Sequence, residues 1–197
     1  MIICLTGFMG CGKSSVGREL SKLLCCPFMD LDSVIEAKSG RSIPEIFATD
    51  GESAFRQMER DALKDIAAPE ARSWEESLRP DSIQGSNLLG ESDSVVLALG
   101  GGTVMTKECA EIVHENTLCI YLRASVETLI RNLSDQADSR PMLTTSSQEA
   151  KRRVDLQTRI EELLDERAET YEKTAHLTID TDNKSILAIA EEIKSRI

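Results

Sequence analysis

Gly7-Phe8-Met9-Gly10-Cys11-Gly12-Lys13-Ser14 meets the phosphate-binding pattern G-x-x-x-x-G-K-[ST] at every fixed position. Eight residues can match by chance, so the setting decides. Before the match, Ile2-Ile3-Cys4-Leu5 is a short apolar run that predicts a buried strand. After it, Val16, Leu20, Leu23 and Leu24 recur at helical spacing, which starts a helix at Lys13 or Ser14. Strand, glycine loop and helix form the arrangement that phosphate binding requires. The glycines let backbone N–H groups turn inward around phosphate oxygens, and the helix N-terminus adds its partial positive charge. The candidate phosphate-binding residues are Gly10, Cys11, Gly12, Lys13, Ser14 and Ser15. Lys13 is expected to reach the β- and γ-phosphates of a nucleoside triphosphate, with the Ser14 hydroxyl on Mg²⁺. The plainer reading, an ordinary glycine turn before a helix, is weakened by the full match in the required setting.

The chain has 197 residues, which suits a single α/β domain with a proper core. Its net charge of −11 argues against a nucleic-acid or anionic-membrane surface, since both favour a basic face. It leaves a nucleotide ligand open, because local Lys and Arg decide that. No apolar run approaches the roughly 20 residues of a membrane span, and no signal peptide is visible, so a cytoplasmic location is expected. The six cysteines, Cys4, Cys11, Cys25, Cys26, Cys109 and Cys119, show no C-x-x-C pairing with histidines. Several fall on apolar strand or helix positions and read as reduced core residues. Cys11 reads as a small filler of the loop rather than a reactive thiol.

Further along, Pro27-Phe28-Met29 predicts a second strand ending in Asp30-Leu31-Asp32, followed by a helix through Ser33-Val34-Ile35-Glu36 that Gly40 stops. A short helix is expected at Ile43-Pro44-Glu45-Ile46-Phe47, and a longer one from Gly51 to about Ala67. Over 68–93 the periodicity breaks among Pro69, Pro80, Gly85, Gly90 and several serines and acids, which reads as a surface insertion. Val95-Val96-Leu97-Ala98-Leu99 is then fully apolar, the kind of strand buried on both faces of a parallel sheet, and Gly100-Gly101-Gly102 closes it. A helix over 107–114, a strand over 118–122 and a helix from Ser125 to about Leu133 follow. The polar stretch 134–147, interrupted by Pro141, reads as a loop that moves, ahead of a long charged helix over 148–171. A last strand, Leu177-Thr178-Ile179, precedes a helix striped by Ile186, Ile189 and Ile193. Alternating strands and helices predict one three-layer α/β domain spanning 1–197. It would hold about five parallel strands with helices on both faces, and its sites at the strands' C-terminal ends.

A phosphate loop alone does not separate a switch GTPase, a motor ATPase and a small-molecule kinase. Three features do. The strand 95–99 ends in glycines rather than in the Asp that many such ATPases place there for Mg²⁺, which leaves Asp30 as the obvious acid. No guanine-reading Asn-Lys-x-Asp run is present, since Asn183-Lys184-Ser185 lacks the acid. Arg140, before a proline in the stretch 134–147, suits a lid that excludes water and stabilises the charge on a transferring phosphoryl group.

These pieces, in order, resemble shikimate kinase: the loop Gly7 to Ser14, Asp30-Leu31-Asp32, Phe55-Arg56, Gly100-Gly101-Gly102, Arg140-Pro141-Met142-Leu143, and Arg167 with Tyr171 four residues later. The resemblance spans nearly the whole chain. It implies a P-loop kinase fold with a lid, and transfer of a phosphoryl group from ATP, with Mg²⁺, to the 3-hydroxyl of shikimate. Carried across, Asp32 is the carboxylate that accepts hydrogen bonds from shikimate hydroxyls and assists deprotonation of the attacking one. Asp30 is the acid near Mg²⁺, Arg56 and Arg167 clamp the shikimate carboxylate, and Gly100, Gly101 and Gly102 line its pocket. Arg140 is the lid arginine, and Arg131 is the nearest match to an arginine that stacks on adenine. The partners implied are ATP or ADP and shikimate, with neither nucleic acid nor membrane, and a monomer is expected.

Two departures stand out: Glu169 occupies a place where the family usually carries proline, and the insertion 68–93 is longer than usual. Plainer readings exist for single residues. Asp30 and Asp32 can simply begin a helix, isolated arginines are usually surface residues, three glycines can be a tight turn, and His114 and His176 belong to no motif. Rival functions are a gluconate-kinase-like or nucleotide kinase of the same fold, and a non-catalytic ATP-binding module. Two carboxylate-clamping arginines beside a hydroxyl-reading acid favour a hydroxy acid as acceptor.

Overall fold

The computed structural model describes residues 1–68, 94–137 and 146–197, with backbone alone over 135–137 and 146–155. Five strands form one sheet: β1 (Ile2–Thr6), β2 (Phe28–Asp30), β3 (Val95–Ala98), β4 (Leu118–Arg123) and β5 (Leu177–Asp180). Their spatial order is β2-β3-β1-β4-β5 and every pairing is parallel. The central strand β1 registers Cys4 against Leu97 on one side and Cys119 on the other.

Side chains alternate along β1, so Ile3 and Leu5 enter one core and Cys4 the other. The helices that cover the first core are α1 (Lys13–Leu24) and α8 (Ile186–Arg196), through Val16, Leu20, Ile189 and Ile193. The second core is covered by α2 (Leu31–Ser39), α3 (Ile43–Thr49), α4 (Gly51–Ala67) and α5 (Lys107–Asn116), through Leu31, Ile46, Phe55, Leu63 and Val113. Leu129 of α6 (Val126–Ala137) joins the first core. The 29-residue α7 (Ser146–Thr174) serves both, with Ile160 in the first and Tyr171 in the second. The expected three layers are therefore present, and a sheet buried on both faces explains why every residue of β3 is apolar and buried.

The chain leaves β1 toward β2 on one side, and leaves β3 toward β4 on the other. Adjacent strands whose connections diverge open a crevice at their C-terminal ends. Here the phosphate-loop motif follows β1 and the three glycines follow β3, so both border that crevice.

Several boundaries differ from the sequence reading, each for a local reason. β2 stops at Asp30 and α2 starts at Leu31, which puts Asp32 in the first helical turn rather than on a strand-end loop. The Asp30 carboxylate accepts the Asp32 N–H at 3.2 Å, a cap that draws the helix start forward. α6 continues through 134–137, four residues assigned above to the lid, because Ser-Asp-Gln-Ala contains no helix breaker. α7 likewise begins at Ser146, inside the expected lid, and runs on to Thr174. A 3₁₀ turn at Thr103–Met105, unexpected, tightens the exit from the glycine run. Most of the insertion (69–93) and the centre of the lid (138–145, with Arg140) lie outside the described residues.

Candidate active site

The loop after β1 takes positive φ at Gly7, Gly10 and Gly12. Gly7 takes φ +141°, and a Cβ there would stand 2.6 Å from the Leu122 carbonyl oxygen. Gly10 takes φ +82°, with Leu133 of α6 directly beneath it. Only glycine meets both demands without strain. The α1 N-terminus begins at Gly12 with no side chain capping it, so its first amides keep their donors for a ligand. Lys13 Nζ donates to the carbonyls of Gly7 and Phe8 at 2.9 and 3.0 Å, lying over its own loop. Cys11 is buried among Phe8 and Val16, and burial pushes its thiol pKa up, as a filler's would be. All six cysteines are free thiols.

Ser14 and Ser15 stand exposed in the first turn of α1. The Ser14 hydroxyl donates to Asp30 Oδ2 at 2.7 Å. Two residues 16 apart in sequence, both candidates for the metal, are thus joined, and two exposed oxygens of this kind suit a hard cation such as Mg²⁺. Asp30 also performs the plainer role of helix cap, through its other oxygen.

Asp32 faces the crevice between the glycine run and α4. A Cβ on Gly100 would lie 3.1 Å from Asp32 Oδ1, 3.2 Å from Glu59 Oε1 and 2.9 Å from Thr103 Oγ1. Asp32 Oδ1 is buried and has no hydrogen-bond partner among the described residues. Burial, then the nearby charges of Asp30 and Glu59, push the Asp32 pKa up to about 6, with Lys13 opposing. A carboxylate so placed has an acceptor oxygen to offer to a donor and a proton affinity near neutrality.

Arg56, on α4, is held by two acids of its own helix: Glu59 at 2.6 Å and Glu52 at 3.0 Å. Burial works against its charge, but these partners outweigh it and raise its pKa. A Cβ on Gly102 would lie 2.8 Å from Arg56 Nη2, so glycine there clears the guanidinium's path. On the other side of the glycines, Tyr171 donates its hydroxyl to the Gly101 carbonyl. Arg167, one turn earlier on α7, lies beside the Tyr171 hydroxyl and over the Phe8 ring at 5.9 Å. The two candidate clamp arginines, 111 residues apart (167 − 56), therefore flank one glycine run.

Arg131 is exposed on α6 near Asp182, whose carboxylate it stabilises. Its neighbour Asn132 donates to the Gly10 carbonyl at 2.8 Å, which ties α6 to the phosphate loop. Glu169 points to solvent and pairs with Lys173 at 2.6 Å, so the departure from the family's proline adds no charge to the site. Two participants escaped the sequence reading. Glu59 is 1% exposed and joins Arg56 to Thr103, and its signal was the i, i+3 spacing from Arg56 on a helix. Asn132 carried no signal, since its partner lies 122 residues away.

The chain is similar to known proteins along nearly its whole length. The sequence profile of the shikimate kinase family matches residues 9–73 and 84–197, leaving 74–83 inside the insertion unmatched. A shikimate kinase of Salinibacter ruber is 38% identical over 197 residues, covering 100% of this chain and 82% of its own. One from Chlorobaculum tepidum is 37% identical over 196 residues, covering 100% and 90%. Among solved structures, a shikimate kinase from Acinetobacter baumannii in complex with shikimate superposes with a TM-score of 0.74. It is 28% identical and is matched over 99% of this chain and 91% of its own. With the profile covering most of the chain and relatives above 30% identity over nearly all of it, the protein belongs to the shikimate kinase family.

Proposed function

We propose that the crevice between β1 and β3 transfers the γ-phosphoryl group of ATP to the 3-hydroxyl of shikimate, in the roles that follow. The observation that carries this reading is Asp32 Oδ1, a buried acceptor with no partner among the described residues, set between the glycine run and Glu59 and within reach of the Lys13 charge. A substrate hydroxyl is the donor it lacks.

The uncapped amides of Gly10 to Ser15 receive the phosphates, and Lys13 shifts from its loop carbonyls to the β- and γ-oxygens. Ser14 and Asp30 would hold Mg²⁺, whose charge, when bound, offsets that of the triphosphate. Arg131 stacks on the adenine. Arg56 and Arg167 receive the acceptor's carboxylate from either side of the glycine run, as planar donor forks suit. Glu59 keeps Arg56 in place. With the acceptor so held, its 3-hydroxyl oxygen forms a bond to the γ-phosphorus as the bond to the ADP oxygen breaks. The hydroxyl proton passes to the Asp32 carboxylate. Positioning and charge stabilisation supply most of the acceleration. Arg140 is assigned by its family motif to the equatorial oxygens of the transferring group. Arg140→Ala should then lower kcat on the order of 10²-fold while acceptor binding changes much less.

A nucleotide kinase is not favoured, because the two arginines and the hydroxyl-accepting acid suit a hydroxy acid, and a gluconate kinase is not favoured because the chain's relatives are shikimate kinases. Among the described residues no helix is long and apolar enough to cross a membrane, and we place the protein in the cytoplasm. The test is ADP release with ATP and Mg²⁺ against shikimate, gluconate and nucleoside monophosphates. Turnover with shikimate alone is expected. Faster turnover with a nucleoside monophosphate or gluconate would reject the acceptor assignment.

A further inference from the structure

Tyr171 is fully buried and carries a single polar atom. Phenylalanine would fill the same volume without the cost of burying a hydroxyl, so the hydroxyl must be satisfied where it lies. Among the described residues it has one hydrogen-bond acceptor and one charged neighbour. It donates to the Gly101 carbonyl, and the Arg167 guanidinium, one helical turn away, lies beside its oxygen. The ring stacks on Tyr121 of β4, with centroids 5.1 Å apart and planes 23° apart. Tyr121 is itself buried, so the stacked ring is held from the sheet side. Arg167 meets the Phe8 ring on another side, and Phe8 is the second residue of the phosphate loop.

From this arrangement we infer that Tyr171 is a positioning residue for the acceptor site, fixing Arg167 and the Gly101–Gly102 peptide relative to each other. The inference rests on reading Arg167 as a clamp for the acceptor's carboxylate. An arginine side chain has many rotamers, and a clamp left free must order itself at each binding event. A buried hydroxyl anchored to the backbone removes that freedom beforehand. The same bond orients the whole peptide, because a trans planar unit that turns its Gly101 carbonyl toward Tyr171 turns the Gly102 N–H to the opposite side. Glycines 100–102 have no side chains of their own to set this orientation. On the other flank Arg56 is held by Glu52 and Glu59, so each arginine has its own brace, acidic on α4 and phenolic on α7.

Tyr171→Phe keeps the ring, its stack on Tyr121 and the packing of α7, and removes only the hydroxyl. The expected result is a shikimate KM raised about tenfold, the scale of one hydrogen bond to a charged group. The KM for ATP should stay within about twofold. Because Tyr171 acts through Arg167, Tyr171→Phe added to Arg167→Lys should cost much less than it does alone. Equal losses for both substrates, with a lowered melting temperature, would make Tyr171 a core residue only and overturn the inference. So would full additivity of the two substitutions. If Arg167→Lys and Arg167→Ala both leave the shikimate KM unchanged while Tyr171→Phe raises it, the clamp reading fails instead, and with it the route through Arg167.

Discussion

At the scale of single residues, the site is governed by one carboxylate whose surroundings oppose its charge. Asp32 has a pKa of about 6 because burial and the acids Asp30 and Glu59 all disfavour ionisation. If Asp32 is the base, kcat/KM should fall as pH drops through about 6 and approach tenfold per unit below it. A profile flat down to pH 5 would remove Asp32 from that role. The same shift has a stability consequence of definite sign. A folded pKa above the unfolded value means Asp32 contributes stability below about pH 4, and this is lost as pH rises through about 6. Asp32→Asn should therefore be inactive yet melt higher than the parent at pH 8. With the discount that partial solvent exposure demands, the gain is on the order of 1 kcal/mol. Thermal melts at pH 4 and pH 8 check it, because the difference should shrink at the lower pH. Lys13 makes the companion case. Its ammonium holds two loop carbonyls here, so Lys13→Met loses about 1–2 kcal/mol along with phosphotransfer. A folded Lys13→Met variant with near-parental turnover would sink the loop's assignment.

At the scale of elements, Asp30 shows how one side chain serves structure and chemistry together. Its Oδ1 caps α2 and its Oδ2 takes the Ser14 hydroxyl from α1, so a helix start and a candidate metal site share a residue. The two roles separate by substitution. Asn is as good a helix cap as Asp, so Asp30→Asn should melt within a degree or two of the parent but need more Mg²⁺ for half-maximal activity. Asp30→Ala should lose both, with about 1 kcal/mol from the cap. An Asp30→Asn variant with unchanged Mg²⁺ dependence would leave Asp30 as a cap alone. α7 supplies the second case. Glu169 lies on its outward face, paired with Lys173, whereas Arg167 and Tyr171 turn inward. Glu169→Ala should consequently leave the shikimate KM within about twofold, since an exposed pair contributes little. Steady-state kinetics would show a several-fold change only if the carboxylate reached the clamp.

At the scale of the whole molecule, the strand order brings the phosphate loop, Asp30 and the glycine run to neighbouring strand ends. The two arginines then arrive on helices from opposite flanks. Among the described residues the exposed large apolar side chains are scattered, and Met9, Ile186 and Leu187 belong to the phosphate loop or the start of α8 rather than to a separate patch. With a net charge of −11 opposing self-association, the protein should sediment as a monomer of 21.7 kDa at micromolar concentration. A concentration-dependent mass near twice that would refute this. The phosphate loop, the strand–helix alternation and the buried character of β1 and β3 were all legible in the sequence. Each depends on neighbours within a few residues, where period and glycine placement state the local geometry. Asp30 was proposed from its place at a strand end, whereas Asp32, Arg56 and Arg167 were proposed through their resemblance to family motifs, because a lone arginine carries no mark of its target. The brace of Glu59 on Arg56 and Thr103, the hydroxyl of Tyr171 on Gly101 and the amide of Asn132 on Gly10 were decided by tertiary structure. So was the raised pKa of Asp32. These partners lie 44, 70 and 122 residues apart where the contacts cross between elements. Hydrogen bonds and desolvation act over a few ångströms of space, and sequence order does not encode that distance until the sheet has folded.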